Sequence, residues 1–235
     1  MTATISKIEV FSIGMPLVGT FTSGGVSKSV TKCVVVRVTD ADGSTGISSI
    51  DPSSTAKSPH TGPELALAIR DRIGPALIGK DPGHINHICE MASKLTPSQP
   101  GAVVGVELAC IELVCRRRGI ALHDYVGGAV INRLQFNGWV GELPPDEAVA
   151  EALRWKNAGF KSMKIKVGND AGKDSARVKA VREAVGKDIK LRMDANMQCT
   201  VDQALALCRA VKSCDMQLFE QPVHKDDLAG LARIR

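Results

Sequence analysis

Residues 162–168 read SMKIKVG, and the fold turns on how Lys164 and Lys166 sit within it. Successive side chains of a β-strand point to opposite faces. Met163, Ile165 and Val167 then point one way, suited to packing beneath helices, while both lysines point the other way near the strand's C-terminal end. A buried ammonium group without a partner is costly. Acids or a ligand carboxylate must therefore lie nearby, or the lysines must reach an open mouth. An edge strand carrying two solvated lysines is the plain alternative.

The chain on either side repeats a β-then-α pattern. Residues 134–140, LQFNGWV, read as a strand, followed by a helix over 145–159 that Gly159 ends. SMKIKVG is followed by a helix through KDSARVKAVREAVG, 173–186. IKLRMDAN, 189–196, is a strand, and TVDQ, 200–203, has the spacing of a capping box for the next helix. MQLFEQP, 216–222, is a fourth strand, and KDDLAGLARIR opens a further helix in which the chain stops. Regular βα units imply a parallel sheet, doubly wound or closed as a barrel. No GxGxxG follows the first of these strands and no GxxxxGK[ST] occurs, so a (β/α)8 barrel is favoured over dinucleotide and P-loop folds. About four of its eight βα units are expected here.

Upstream the pattern differs. ISKIEVFSIGM (5–15), SVTKCVVVRVTD (29–40) and TGISSI (45–50) read as strands. Residues 62–79, 84–95 and 101–119 carry apolar residues at helical spacing, with Arg116, Arg117 and Arg118 before a stop at Gly119. The expected organisation is an α+β domain over 1–125 followed by an incomplete α/β barrel over 126–235. Of the 235 residues 44% are hydrophobic and only 3% aromatic, so the cores must be aliphatic. The net charge of +5 is spread among acids without a basic block, which disfavours nucleic acid as a partner. No apolar run approaches a membrane span and no secretory leader is recognisable, so no membrane partner is expected. Seven cysteines without a CxxC pair read as reduced core thiols of a cytoplasmic protein.

The two later strands supply the acids. Asp194 and Asn196 share a face at one strand end, and Glu220 ends the next strand. In a barrel these ends converge on one mouth. Two carboxylates without histidine or thiolate neighbours suit a hard divalent cation, Mg²⁺ with Mn²⁺ as its substitute. A metal-bound substrate carboxylate beside a lysine would allow removal of the proton on the adjacent carbon, giving an enediolate that cationic groups stabilise. Lys166 is assigned as base and Lys164 as its electrostatic neighbour, since charging both costs Coulomb energy. Simple ion pairing of these lysines and acids is the structural alternative, and a Schiff-base lysine the chemical one.

KIKVG, MDAN and FEQP resemble, in order and spacing, the KxK strand and the first two metal-ligand strands of the enolase superfamily, in its mandelate racemase/muconate lactonizing group. The N-terminal unit resembles that family's capping domain, and GIALHDYVGG (119–128) its join to the barrel. The resemblance covers nearly the whole chain. It implies Lys164 and Lys166 as catalytic residues, Asp194 and Glu220 as two of three Mg²⁺ ligands, and Asn196 as a neighbouring polar contact. It further implies substrate contacts from capping loops at 21–25 and 50–53, including Phe21, Thr22 and Ile50. The implied activity is racemisation, epimerisation or cycloisomerisation of a small carboxylic acid. A hydroxy- or sugar-acid dehydratase, and an inactive fragment or non-catalytic partner chain, are the alternatives. A homo-oligomer is expected at full length. EQP and DAN, where relatives often have EEP and DFN, lean towards the muconate-lactonizing and dipeptide-epimerase side. GISSI and MQCT depart from the family's usual GxGE and QGW. The third acidic ligand and the opposite-face base have no counterpart in the sequence, and Asp226 and Asp227 read as a helix start. His84 and His87, His224 and Trp139 read as surface, loop and packing residues.

Overall fold

The computed structural model describes residues 3–23, 26–51 and 61–235, with the side chains at 18–23 and 26 outside the description. The chain divides into two compact units, one of Met1–Gly19 with Ser29–Asn132 and one of Thr20–Lys28 with Arg133–Arg235. Among the described residues no helix is long and apolar enough to cross a membrane.

The first unit holds most of a three-stranded sheet in the order β1 (Ile5–Ser23), β2 (Val26–Asp40), β3 (Thr45–Ile50). β2 and β3 run antiparallel, with Val36 opposite Ser48. Val34, Val36 and Val38 alternate into a core shared with Ile69, Ile73, Ile88, Val106 and Leu113. The helices are α1 (Gly62–Ala68), α2 (Gly74–Leu77), α3 (Ile85–Leu95), α4 (Pro100–Arg118) and the short α5 (Leu122–Tyr125). The helix expected over 62–79 is interrupted by a π-helical turn, Ile69–Ile73, just before Pro75. Proline has no N–H and crowds the carbonyl four residues back, and the widened turn accommodates it. α4 lies tightly on β3 because Gly46 has no side chain; a Cβ there would come within 2.1 Å of the Ala109 carbonyl oxygen. Asp40, fully buried, accepts from Arg117 at 2.5 Å and joins the β2–β3 turn to the end of α4.

The second unit is a parallel sheet in the order β4 (Gly138–Val140), β5 (Ser162–Lys166), β6 (Lys190–Asp194), β7 (Met216–Glu220). Its helices are α6 (Pro145–Asn157), α7 (Ala171–Val185), α8 (Val201–Ala210) and α9 (Leu228–Ile234). Thr200 caps α8 with the capping box that its sequence announces. Met163, Ile165 and Val167 are buried with Leu191, Met193, Val178 and Val181 under the helices, as the alternation requires. The first strand is shorter than expected. Leu134 and Phe136 are 68% and 71% exposed, and pairing with β5 begins only at Gly138 opposite Met163. β7 carries an extra residue: Leu191 pairs with Met216 but Arg192 pairs with Leu218. Gln217 is the residue passed over, and its Oε1 accepts from Arg192 Nε at 2.8 Å.

Candidate active site

Register builds the site. Lys166, Asp194 and Glu220 are paired across three adjacent strands, and Lys164 pairs with Arg192 one step below. All therefore share the face opposite the helix-covered core. Lys166 Nζ lies 2.6 Å from Asp194 Oδ2 and 2.6 Å from Asn196 Oδ1. Lys164 Nζ lies 3.1 Å from the same Asp194 oxygen and 3.5 Å from Glu220 Oε2. The Asp194 and Lys166 side chains are 1% and 7% exposed, whereas those of Lys164 and Glu220 are 26% and 42% exposed. The cluster thus grades from a buried pair to an open rim.

Asp194 is the hub. Burial pushes its carboxyl towards the neutral acid, but the Lys166 ammonium, the Asn196 N–H at 3.0 Å and the Lys164 ammonium outweigh burial, and its pKa lies below the usual aspartate value. The loops beyond the strands hold Asn196 in place. Asn196, Met197 and Gln221 adopt positive φ of 46°, 69° and 41°, and Met197 N–H donates to the Gln221 carbonyl at 2.8 Å. Left-handed backbone at non-glycine residues is strained and tends to gather at functional sites. Gly168 is required by its φ of 123°, and a Cβ there would meet the Ala195 carbonyl oxygen and the Gln198 Cβ, each at 3.0 Å.

Two anionic oxygens from different strands lie within 3.5 Å of a single Nζ, so the rim converges on a point suited to a cation. The donors are all oxygen, the chemistry Mg²⁺ prefers. Among the described residues no group of three or more His, Cys, Asp or Glu forms a metal cluster, so Asp194 and Glu220 supply two ligands at most with what is described. The ion pairing raised as an alternative is present, and it uses the same oxygens that a cation would use.

The structure brings Lys164, Lys166, Asp194, Asn196 and Glu220 together. Ile50 belongs to the first unit, where it packs on the core and its Cδ1 fills the space left by Gly105. The side chains of Phe21 and Thr22, and residues 24, 25, 52 and 53 of the expected loops, lie outside the described residues. Trp139 is on the lysine face of β4, opposite Lys164, with its outer ring 3.2 Å from where a Gly141 Cβ would stand. His224 is on the exposed loop after β7, beside Asp226. Sequence reasoning passed over Asp174 and Arg177, which lie buried behind Lys166. Their signal was available: both fall on the face of α7 that Val178, Val181 and Val185 define.

Two family models match the chain: "Mandelate racemase / muconate lactonizing enzyme, N-terminal domain" over residues 8–127, and "Enolase C-terminal domain-like" over 147–235. The structure superposes with a TM-score of 0.93 and 31% identity on a dipeptide epimerase from Enterococcus faecalis V583 complexed with Mg and the dipeptide L-Leu-L-Tyr, covering 98% of this chain and 64% of that one. An L-Ala-D/L-Glu epimerase of Bacillus subtilis strain 168 is 31% identical over 98% of this chain and 63% of its own length. An N-succinyl-L-Arg/Lys racemase of Bacillus cereus is 26% identical, with 98% and 63% covered. The chain thus spans less than two thirds of the length of these relatives, which are isomerases. The capping-type α+β unit, the parallel βα unit and both family matches agree: the chain belongs to the enolase superfamily, in its mandelate racemase/muconate lactonizing enzyme group.

Proposed function

We propose that the second unit is the first four βα units of a (β/α)8 barrel, and that its strand ends form half of a Mg²⁺-dependent site that removes a proton from the carbon next to a substrate carboxylate. The observation that carries this reading is the convergence of Lys164 and Lys166 on Asp194, with Glu220 within reach of Lys164. Asp194 and Glu220 would hold the cation, whose chemistry when bound is to take the substrate carboxylate and stabilise added negative charge. The charges favour this use. Two ammonium groups and two carboxylates cancel, so a divalent cation leaves the rim positive and receptive to an anion.

Lys166, in its neutral form, is the base. The C–H bond breaks, its electron pair passes into the carboxylate as an enediolate, and the proton goes to Lys166 Nζ. The Lys164 ammonium sits at the open side and stabilises the charge that develops. Inversion, and with it racemisation or epimerisation, then requires an acid on the opposite face, outside the cluster described, to donate its proton to the same carbon. Dipeptides and N-acylated amino acids are the substrate class, following the relatives' named activities.

The test is to incubate the protein with Mg²⁺ and L-Ala-L-Glu or L-Leu-L-Tyr in deuterated water and follow the α-proton by NMR. Exchange that requires Mg²⁺ and is abolished in Lys166→Ala is expected. Exchange that persists in Lys166→Ala, or that ignores chelation of the metal, overturns the assignment.

A further inference from the structure

We infer that Asp174 and Arg177 form a buried clamp that fixes the backbone from which Lys166 projects, making both of them positioning residues for the base. The inference rests on the proposed role of Lys166 and adds residues outside the lysine and carboxylate motifs. Arg177 reaches three acceptors: the Leu143 carbonyl beyond β4 through Nε at 2.5 Å, and the Lys166 carbonyl at 2.9 Å and Asp174 Oδ1 at 2.7 Å, both through Nη1. The other Asp174 oxygen, Oδ2, accepts from the Gly168 N–H at 2.7 Å. Between them, Val167 N–H donates to the Asp194 carbonyl at 3.1 Å. Three backbone groups from successive residues at the end of β5 are thereby assigned, two to the α7 ion pair and one to the strand carrying the metal-ligand candidate.

Asp174 and Arg177 are 2% and 7% exposed. Burying an ion pair often gives no net stability over an apolar replacement of similar size, so its presence here calls for a geometric role. A planar guanidinium suits that role because its donors are fixed in one fork, which a lysine does not reproduce. The clamp acts on the carbonyl side of Lys166, while the side chain leaves on the opposite face and meets Asp194 and Asn196. If the peptide rotates, Nζ loses its aim. Neither clamp residue touches the reacting centre.

The test is residue-resolved lysine acetylation at fixed pH, read by peptide mass spectrometry, in the wild type, Arg177→Lys and Asp174→Asn. Arg177→Lys keeps a charge for Asp174 and loses the fork; Asp174→Asn keeps the shape and frees Gly168. In either folded variant Lys166 labelling should rise by about fivefold or more, the population change that a modest local destabilisation produces, with Lys164 labelling held within about twofold. Equal Lys166 labelling in wild type and a folded variant overturns the inference, as does a rise shared equally by Lys164. Should neither variant fold, amide hydrogen exchange in the wild type decides. Gly168 N–H should be as protected as the β5 ladder amides, and exchange at the rate of an exposed loop amide refutes the clamp. In the exchange assay both variants should lower kcat with KM little changed. If no variant and no wild type exchanges substrate, the functional reading fails while the labelling contrast still judges the clamp.

Discussion

Lys166→Met removes an ammonium group from the rim while keeping much of its buried stem. The wild-type cluster carries two positive and two negative groups; the variant carries one positive and two negative. Asp194 loses a partner at 2.6 Å and keeps Lys164 at 3.1 Å and the Asn196 N–H at 3.0 Å. A hydrogen bond to a charged group contributes roughly 1.5–3 kcal/mol, and the remaining partners place the loss near the lower figure. Metal affinity should move the other way. Two unit charges 4 Å apart interact by about 4 kcal/mol at an effective dielectric of about 20 and about 1 kcal/mol in water, and this half-open rim lies between those limits. Removing the competing ammonium should therefore tighten Mg²⁺ binding by about tenfold or more. Urea unfolding with and without Mg²⁺ reads the first effect, and calorimetric titration reads the second. The variant should be less stable than wild type without metal and recover with it, since ligands that bind only the folded state stabilise it. A variant that binds Mg²⁺ no more tightly than wild type refutes the reasoning, because a cation held by Asp194 must displace or share with Lys166.

Gly168→Ala should destabilise by about 2–4 kcal/mol in denaturant unfolding, combining a positive-φ penalty with the crowding against Ala195 and Gln198; an unchanged midpoint contradicts the described turn. Asp170 caps α7, and its pKa is lowered chiefly by the Lys173 N–H, with burial opposing and the Gly172 N–H assisting. A depressed folded value means that this carboxylate stabilises above the ordinary aspartate range and stops doing so as pH falls through the depressed value. Asp170→Asn should remove that component of acid sensitivity in pH-dependent thermal melts. Burial raises the Cys110 thiol to about 12 and Cys199 to about 11, so iodoacetamide at pH 8 should alkylate both slowly in the native protein and readily in urea.

The lysine strand was legible because period-two alternation leaves little choice: once Met163, Ile165 and Val167 face the core, Lys164 and Lys166 must face away. Asp194 and Glu220 followed from strand order, since parallel neighbours in register bring their ends to one level. The length of β4 was less legible, because apolar residues at 134–136 suit a strand only where a partner edge reaches them. The π-helical turn before Pro75 is a local compromise that periodicity averages away. The positive φ at Asn196 and Gln221 had no sequence sign beyond asparagine's tolerance of that region. Asp174 and Arg177 could have been found by asking why two charges interrupt the inner stripe of α7.

The residue passed over in β7 decides which way the second carboxylate looks. Were pairing to run on without the irregularity, with Met216 beside Leu191 and Gln217 taking its place beside Arg192, Phe219 would arrive level with Asp194, and Glu220 would turn towards the helix layer. The acid would survive in the sequence while its function vanished. A one-residue slip of pairing in this short strand is thus more consequential than most substitutions within it, and any comparison of chains sharing this architecture must align the irregularity before aligning the acids.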